Sequence, residues 1–425
     1  MAESSPTPAK PPLMPLDEAL ARLVAVASER RLAETESLPT MRALGRVLAS
    51  AVTSALDVPP ADNSSMDGYA LRFADLAGGD PLPVSQRIAA GAVGGALEPG
   101  TVARIFTGAP IPPGADTVVM QEQCEALAID APEERARIRI TGPVEAGQWV
   151  RKRGEDVQRG ATVLTAGARL TPQALGLAAS VGAAKLAVLR RPRVALFSTG
   201  DELVMPGDPL PPGAIYNSNR FTLRALIEAA GCDVDDLGIV PDKLDATRSA
   251  LRRAAAGSDL IITSGGVSVG EEDHLKPAVL AEGRLDLWQL AIKPGKPLAF
   301  GAVRRGEGGA GEALFIGLPG NPVSSFVTFL LAVAPVLRAL QGMAASLPPA
   351  LPLRAAFDWP KPDKRREFLR ARLNEDGALE LFPNQSSGVL SSAVWADGLI
   401  DNPPGQAIAS GDTVRFLPLA RLIGA

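Results

Sequence analysis

From about residue 194 to residue 340, short and wholly apolar runs alternate with helix-length segments, and several of the runs end in loops that carry glycine. Val194-Ala195-Leu196-Phe197 is the first run; residues 234–240, Leu260-Ile261-Ile262, Leu298-Ala299-Phe300 and Leu314-Phe315-Ile316 follow. Apolar runs this short, bounded by glycine and proline, read as strands buried on both faces. Between them, residues 219–230 (stopped by Gly231), 244–256, 275–281 and a long stretch from near Ser324 read as helices, with Arg252 and Arg253 on an exposed side. Strands alternating with helices make a parallel sheet covered on both faces. Residues 188–342 are therefore expected to form an α/β domain.

The rest of the chain has another texture. The opening ten or so residues read as a polar, proline-bearing tail. Leu16, Leu20, Leu23, Val24 and Ala27 recur at helical spacing, with Asp17 and Glu18 near the start where the helix dipole favours them. Residues 58–140 carry short apolar runs broken by glycine and proline, which predicts a mainly β insertion. The spacing over 171–188 predicts a further helix leading into Arg190-Arg191-Pro192-Arg193. Pro348, Pro349, Pro352 and Pro360 mark a linker, and the residues beyond it predict short strands without a helix, hence a small β-barrel.

Composition removes several functions. A formal charge of −4 and a pI near 5.4 argue against a protein that coats nucleic acid. Cys124 and Cys232, far apart and outside any C-x-x-C, exclude a disulfide framework and a thiolate zinc site and fit a reducing compartment. With His274 as the single histidine, His-rich metal sites and most Ser–His–Asp triads are excluded. Any metal is then a hard cation held by carboxylates and substrate oxygens. No signal-peptide pattern is visible, and the best apolar run, 326–337, contains Pro335 and falls short of the roughly 20 residues of a spanning helix. A cytoplasmic protein with no membrane partner is expected.

In open α/β sheets, ligands bind beyond the carboxyl ends of the strands. Four loops are assigned to that edge. They are Ser198-Thr199-Gly200-Asp201-Glu202, the run from Ser264-Gly265-Gly266 through Ser268 to Asp273, Lys293-Pro294-Gly295-Lys296-Pro297, and Leu318-Pro319-Gly320-Asn321-Pro322-Val323-Ser324-Ser325. Glycines admit a close-lying anion, and lysines and serines add donors. One such loop is adequately read as a tight turn; four in one domain point to an anionic ligand. None matches a Walker A motif or G-x-G-x-x-G, which disfavours P-loop hydrolases and dinucleotide dehydrogenases. Asp201, Glu202 and Asp273 at the same edge call for a cation between themselves and phosphate, in practice Mg²⁺.

Taken in order, these loops resemble the molybdopterin molybdenumtransferase family, which includes the gephyrin E-domain. The resemblance extends over Asn63-Ser64-Ser65-Met66-Asp67-Gly68-Tyr69-Ala70, Phe106-Thr107-Gly108-Ala109, Arg153-Gly154-Glu155-Asp156 and Gln385-Ser386-Ser387-Gly388, essentially the whole chain from about residue 14. It implies four parts: an N-terminal linking domain from 14–57 and 141–187, a β insertion at 58–140, a molybdopterin-binding-type parallel-sheet α/β domain at 188–342, and a C-terminal β-barrel at 346–425. It also implies insertion of molybdate into adenylylated molybdopterin with Mg²⁺-dependent release of AMP, by a homodimer whose site is shared between subunits.

By the same resemblance, Asp273, Ser268, Asp67 and Glu202 are the catalytic candidates, and Asp273 with Asp201 the Mg²⁺ ligands. Thr199, Gly200, Ser264, Gly265, Gly266, Pro319, Asn321 and Ser324 line the substrate site, joined by Thr107 and Asp156. Lys293 and Lys296 contact phosphate or molybdate, and Arg365 and Ser387 are oxyanion donors. Asp67 and Thr107 are implied to enter from the partner subunit. The family's usual glycine before the serine is Ser386 here, a departure from the pattern whose added side chain is expected to narrow the oxyanion pocket that the resemblance implies. The rival readings are a molybdopterin adenylyltransferase, which resembles the α/β domain alone, and a gephyrin-like non-enzymatic scaffold.

Overall fold

A computed structural model describes residues 13–78, 81–127, 135–266, 274–306 and 311–424. The chain divides into two compact units, one made of residues 1–36, 45–47 and 189–425 and the other of 37–44 and 48–188.

In the first unit the apolar runs are strands of a single six-stranded sheet. β1 (Arg193–Thr199), β2 (Asp233–Val240), β3 (Leu260–Ser264), β4 (Gly283–Gln289), β6 (Pro297–Arg304) and β7 (Glu312–Leu318) lie in the order β2-β1-β3-β7-β6-β4, while β5 (Ile292–Lys293) belongs elsewhere. Period-two alternation sorts each strand between two cores. Val194, Leu196, Leu260, Ile262, Leu314 and Ile316 face one, and Ala195, Phe197, Ile261 and Phe315 the other. Each such fully buried Val, Leu, Ile or Phe contributes about 1.5–3 kcal/mol. Helices cover both faces, as expected: α1 (Leu16–Glu29), α2 (Ser218–Ala229) and the long helix after β7 on the first, α3 (Leu244–Gly257) and α4 (Leu275–Glu282) on the second.

Four strands, β2, β1, β3 and β7, are mutually parallel; β6 pairs antiparallel with β7, and β4 pairs antiparallel with β6 and so runs in the same direction as the four. β4 ends beside the start of β6, Gln289 next to Pro297, and because β6 runs opposite to β7, with Ala299 beside Gly317, both lie level with the end of β7. The Lys293–Pro297 loop is thus part of the connection that leaves β4 at the expected edge and enters β6.

The long helix is continuous from Pro322 to Leu340, 19 residues, and 94% of its apolar window is buried inside the protein. The apolar run is thus part of a helix longer than the sequence suggests, and it is a core helix. It comprises α5 (Pro322–Thr328), a π turn over Phe329–Val333 and α6 (Ala334–Leu340). Pro335 has no N–H to give to the carbonyl four residues before it, and the wider turn accommodates that gap.

The same unit carries a second sheet built from β5, β8 (Leu351–Arg354), β9 (Arg366–Leu373), β10 (Leu379–Leu381), β11 (Gly398–Asn402) and β12 (Thr413–Pro418), in the order β5-β9-β11-β12-β8 with β10 beside β9. It is a half-barrel, and it contains two single-turn helices that the sequence reading left out, α7 (Ser391–Trp395) and α8 (Leu419–Ile423). β5 pairs in parallel with β9, Ile292 beside Arg366 and Lys293 beside Glu367. The lysine loop is thereby stitched to the tail sheet by backbone hydrogen bonds.

The second unit holds the expected β insertion, a six-stranded sheet drawn from residues 68–140. Its helix is shorter than predicted. Thr171 caps Pro172–Ser180, Gly182 turns the chain at φ +81°, and Lys185–Leu189 is a strand. The alternation in Lys185-Leu186-Ala187-Val188 fits a strand's period better than a helix's.

Candidate functional site

The order β2-β1-β3-β7 reverses direction between β1 and β3, and the glycine turns gather at that crevice. Ser198 and Ser264 end adjacent strands with their hydroxyls 3.0 Å apart. Gly265 follows with φ +90°, and its N–H donates to the carbonyl of Leu318 at the end of β7. A Cβ at Gly265 would lie 2.8 Å from the carbonyl oxygen of Thr199, so three strand ends converge on a residue with no room for a side chain. Gly265→Ala combines left-handed backbone strain with a clash against rigid backbone, and is expected to cost about 2–4 kcal/mol. Urea unfolding measures this, and a loss below about 0.5 kcal/mol would contradict the packing described.

The crevice is a cavity of about 500 Å³ lined by Thr199, Gly200, Glu202, Ser264, Gly265, Gly266, Pro319, Asn321 and Ser324. The size suits a nucleotide-sized ligand. Nine of the substrate and catalytic candidates are therefore brought together. The Glu202 carboxylate folds back over Gly200, where a Cβ would lie 2.5 Å from its oxygen. Asp201 turns aside, its Oδ1 accepting the N–H of Asp242 at 3.2 Å. Asn219 donates through Nδ2 to the carbonyl of Gly320 at 2.7 Å, fastening α2 to the Pro319–Asn321 turn.

The cavity also includes Pro297 of the lysine loop, and Asn217, Asn219 and Asp242, which the sequence reading missed. Asp242 had a usable signal: it follows β2 directly, so its loop is a fifth one at the same edge. Asn217 and Asn219 begin a helix and look like caps in sequence; Asn217 does cap, its Oδ1 accepting the N–H of Arg220.

Lys293 and the tail residues form a second cluster beside the lysine loop. The Lys293 ammonium lies 3.2 Å from a Glu367 oxygen and 3.5 Å from Asp363. Arg365 holds Asp363 by two parallel bonds, Nε to Oδ1 at 3.0 Å and Nη2 to Oδ2 at 2.9 Å, and its Nη1 reaches the carbonyl of Ile292 at 3.4 Å. Glu367 is fully buried and also accepts from the Trp359 indole at 2.9 Å and the Asn402 amide at 3.4 Å. Two cations and two carboxylates thus compensate one another. Asp363 and Glu367 were not among the candidates, although Glu367 stands inside the arginine motif. Lys296, by contrast, has no ion-pair partner among the described residues. Ser387 meets the cavity side through its carbonyl, which accepts the N–H of Val323 at 3.0 Å.

The Arg365 guanidinium holds the Asp363 carboxyl well below the usual carboxylate range, with the Arg365 N–H and the Lys293 charge adding to the effect. A depressed carboxylate contributes stability in full above its unfolded value, near 3.8, and loses that contribution as pH falls toward the lowered native value. In Arg365→Ala the titration of Asp363, followed by its carboxyl carbon shift, is expected to move upward. An unmoved titration would show that the arginine is not what depresses it.

The remaining candidates lie in the second unit. Asp67 Oδ1 accepts both the N–H and the hydroxyl of Thr107 at 2.8 Å, and these bonds, the backbone one first, lower its pKa. Asp156 donates its N–H to the carbonyl of Val58 at 3.0 Å. Ser268 and Asp273 lie outside the described residues. Among the described residues, no group of three or more His, Cys, Asp or Glu is placed to hold a metal.

Comparison with known proteins gives matches along the chain. Residues 14–182 match the MoeA N-terminal region (domains I and II), 195–339 a probable molybdopterin binding domain, and 352–419 the MoeA C-terminal region (domain IV). A molybdopterin molybdenumtransferase of Haemophilus influenzae is 40% identical over 399 residues, 92% of this chain and 95% of that one. Molybdopterin molybdenumtransferase 2 of Mycobacterium tuberculosis is 38% identical over 395 residues, 89% and 93% of the two chains. Among solved structures, a molybdopterin biosynthesis MoeA protein from Pyrococcus horikoshii superposes with a TM-score of 0.78 at 27% identity, covering 95% of this chain and 99% of its own.

Proposed function

The chain belongs to the molybdopterin molybdenumtransferase family, and on that premise we propose how the parts of its reaction are divided over the structure. It is an enzyme of molybdenum cofactor biosynthesis that inserts molybdenum into molybdopterin. In the reading offered here, the substrate is adenylylated molybdopterin and the metal arrives as molybdate. The cavity between Thr199, Gly265 and Asn321 takes the adenylate and pyrophosphate, and the cluster of Lys293, Arg365 and Ser387 takes the oxyanion.

The observation that carries this reading is the stitching of β5 to β9. It makes one continuous edge from glycine turns suited to phosphate and a tail cluster suited to a tetrahedral anion. Glycine turns accept phosphate oxygens at close range. Lys296, free of carboxylates among the described residues, neutralises phosphate charge, while Arg365 presents a planar fork that suits an oxyanion. The two thiols of the dithiolene form two Mo–S bonds as one oxo group of molybdate leaves, and their two protons depart with it as water. A water attacks the adenylate phosphorus, the anhydride bond breaks, and AMP departs with the pterin monophosphate left behind.

A divalent cation suits the donors present, because Mg²⁺ is commonly held by one or two carboxylates together with phosphate oxygens and waters. Glu202 and Asp242 both line the cavity and are the described carboxylates that would hold it, with Asp273 as the third by the sequence motif. Bound there, the cation would supply charge neutralisation at the breaking anhydride. Asp67 and Thr107 are proposed to complete the site from the second subunit of a homodimer.

The test is to mix the purified chain with adenylylated molybdopterin, Mg²⁺ and molybdate and to follow AMP and metallated pterin together. Parallel, molybdate-dependent appearance of both is expected. Consumption of ATP with unadenylylated pterin would favour an adenylyltransferase, and release of neither product would overturn the reading.

A further inference from the structure

Arg370, on β9, is the largest fully buried side chain of the described residues, about 1% exposed, and among those residues its charge has no carboxylate partner. Nε donates to the Ser392 hydroxyl at 3.1 Å, Nη1 to the Phe368 carbonyl at 3.2 Å and Nη2 to the Ser386 carbonyl at 3.3 Å. All three acceptors are neutral. The neighbouring arginines differ: Arg365 holds Asp363, and Arg366 holds Asp401. Burial alone pushes the Arg370 guanidinium down to about 10.

An unpaired buried cation costs several kcal/mol of desolvation, so its retention calls for a role. The contact with Ser386 suggests one. The carbonyl of Ser386 and the N–H of Ser387 belong to the same peptide group. A cation on that carbonyl polarises the peptide and makes its N–H a stronger donor. That N–H has no acceptor among the described residues. The loop is pinned on either side as well. Gln385 accepts the N–H of Arg370 at 2.9 Å and donates to its carbonyl at 3.0 Å, and Val323 donates to the Ser387 carbonyl at 3.0 Å.

We infer that Arg370 is a positioning residue for the oxyanion. It clamps the Ser386–Ser387 peptide from within the tail domain, so that the N–H and hydroxyl of Ser387 meet the anion already oriented, and it adds an uncompensated positive charge behind them. The inference rests on the proposed molybdate site and goes beyond it in naming the group that builds it.

The experiment measures initial rates against sodium molybdate and, separately, against adenylylated molybdopterin, with thermal unfolding alongside. Arg370→Gln removes the charge, Arg370→Lys keeps the charge without the three-way fork, and Ser392→Ala loosens the fork while leaving the cation. In Arg370→Gln the molybdate KM is expected to rise about tenfold or more, the scale of a lost charged hydrogen bond, while the KM for the pterin stays within about twofold. Arg370→Lys is expected to recover part of the loss, and Ser392→Ala to show a smaller rise of the same kind. If Arg370→Gln does not fold, Ser392→Ala decides alone. Equal rises in both KM values, or an unchanged molybdate KM, would overturn the positioning role. A wild-type protein whose product formation ignores molybdate would instead overturn the proposed site itself.

Discussion

Arg365→Ala is expected to raise the molybdate KM about a hundredfold, with a much smaller change for the adenylylated pterin. The direct loss is a charged, planar donor, and hydrogen bonds to charged groups are worth about 1.5–3 kcal/mol each. The surroundings add to it. Lys293, Arg365, Asp363 and Glu367 form a compensated set of two cations and two carboxylates. Removing Arg365 leaves that set with one excess negative charge, and Asp363 then draws the Lys293 ammonium, 3.5 Å away, off the anion. A dianion meets repulsion where it had met neutrality.

The double variant Asp363→Asn with Arg365→Ala separates the two effects. It restores charge balance without the donor, and is expected to recover part of the loss in molybdate KM. No recovery would mean that the guanidinium acts by contact alone. Equal damage to both substrates would mean that Arg365 is structural.

The largest effect is expected from Asp273→Asn. AMP release should fall about a thousandfold, the range associated with losing a positioned base or the carboxylate that orients one, while equilibrium binding of the adenylylated pterin stays within a few-fold. The split follows from how the site is divided. In the proposed division, binding falls to the glycine turns and donors that line the cavity, and the cleavage step to Asp273. The amide is nearly isosteric, so packing is little changed, but it neither holds a divalent cation well nor accepts a proton. AMP release at the wild-type rate, with molybdate and Mg²⁺ present, would remove Asp273 from the mechanism.

The parallel core could be read because β1, β3 and β7 are buried on both faces, so their central residues form unbroken apolar runs. The glycine turns could be read for the opposite reason. At Gly265 the φ of +90° and the approach of the Thr199 carbonyl leave no alternative residue, so the site is written as glycine in the sequence. The arginine and serine of the tail, Arg365 and Ser387, were singled out only through the family resemblance of their motifs.

Other features have no local signature. Nothing in residues 16–29 tells α1 to cover the sheet that begins at residue 193; its apolar stripe would suit many partners. The helix over 171–188 was overextended because Lys185–Leu189 is short and its alternation fits a helix nearly as well. Asp363 is an ordinary surface residue until β5 pairs with β9 and brings Lys293 to it. Arg370 reads as one more cation in a basic stretch, and only the fold shows that it is buried without a counter-ion among the described residues.

The sequence alone determined the alternation of strands and helices, the edge at which the turns gather, and the family to which those turns belong, because each is enforced by a period or by a steric requirement local to a few residues. The tertiary structure decided which charges neutralise one another and which stand alone, because a charge's effect depends on neighbours brought from as far as 349 positions away, as at Arg366 and Asp17, and on whether water is excluded around them. Those are properties of packing, and no stretch of chain carries them by itself.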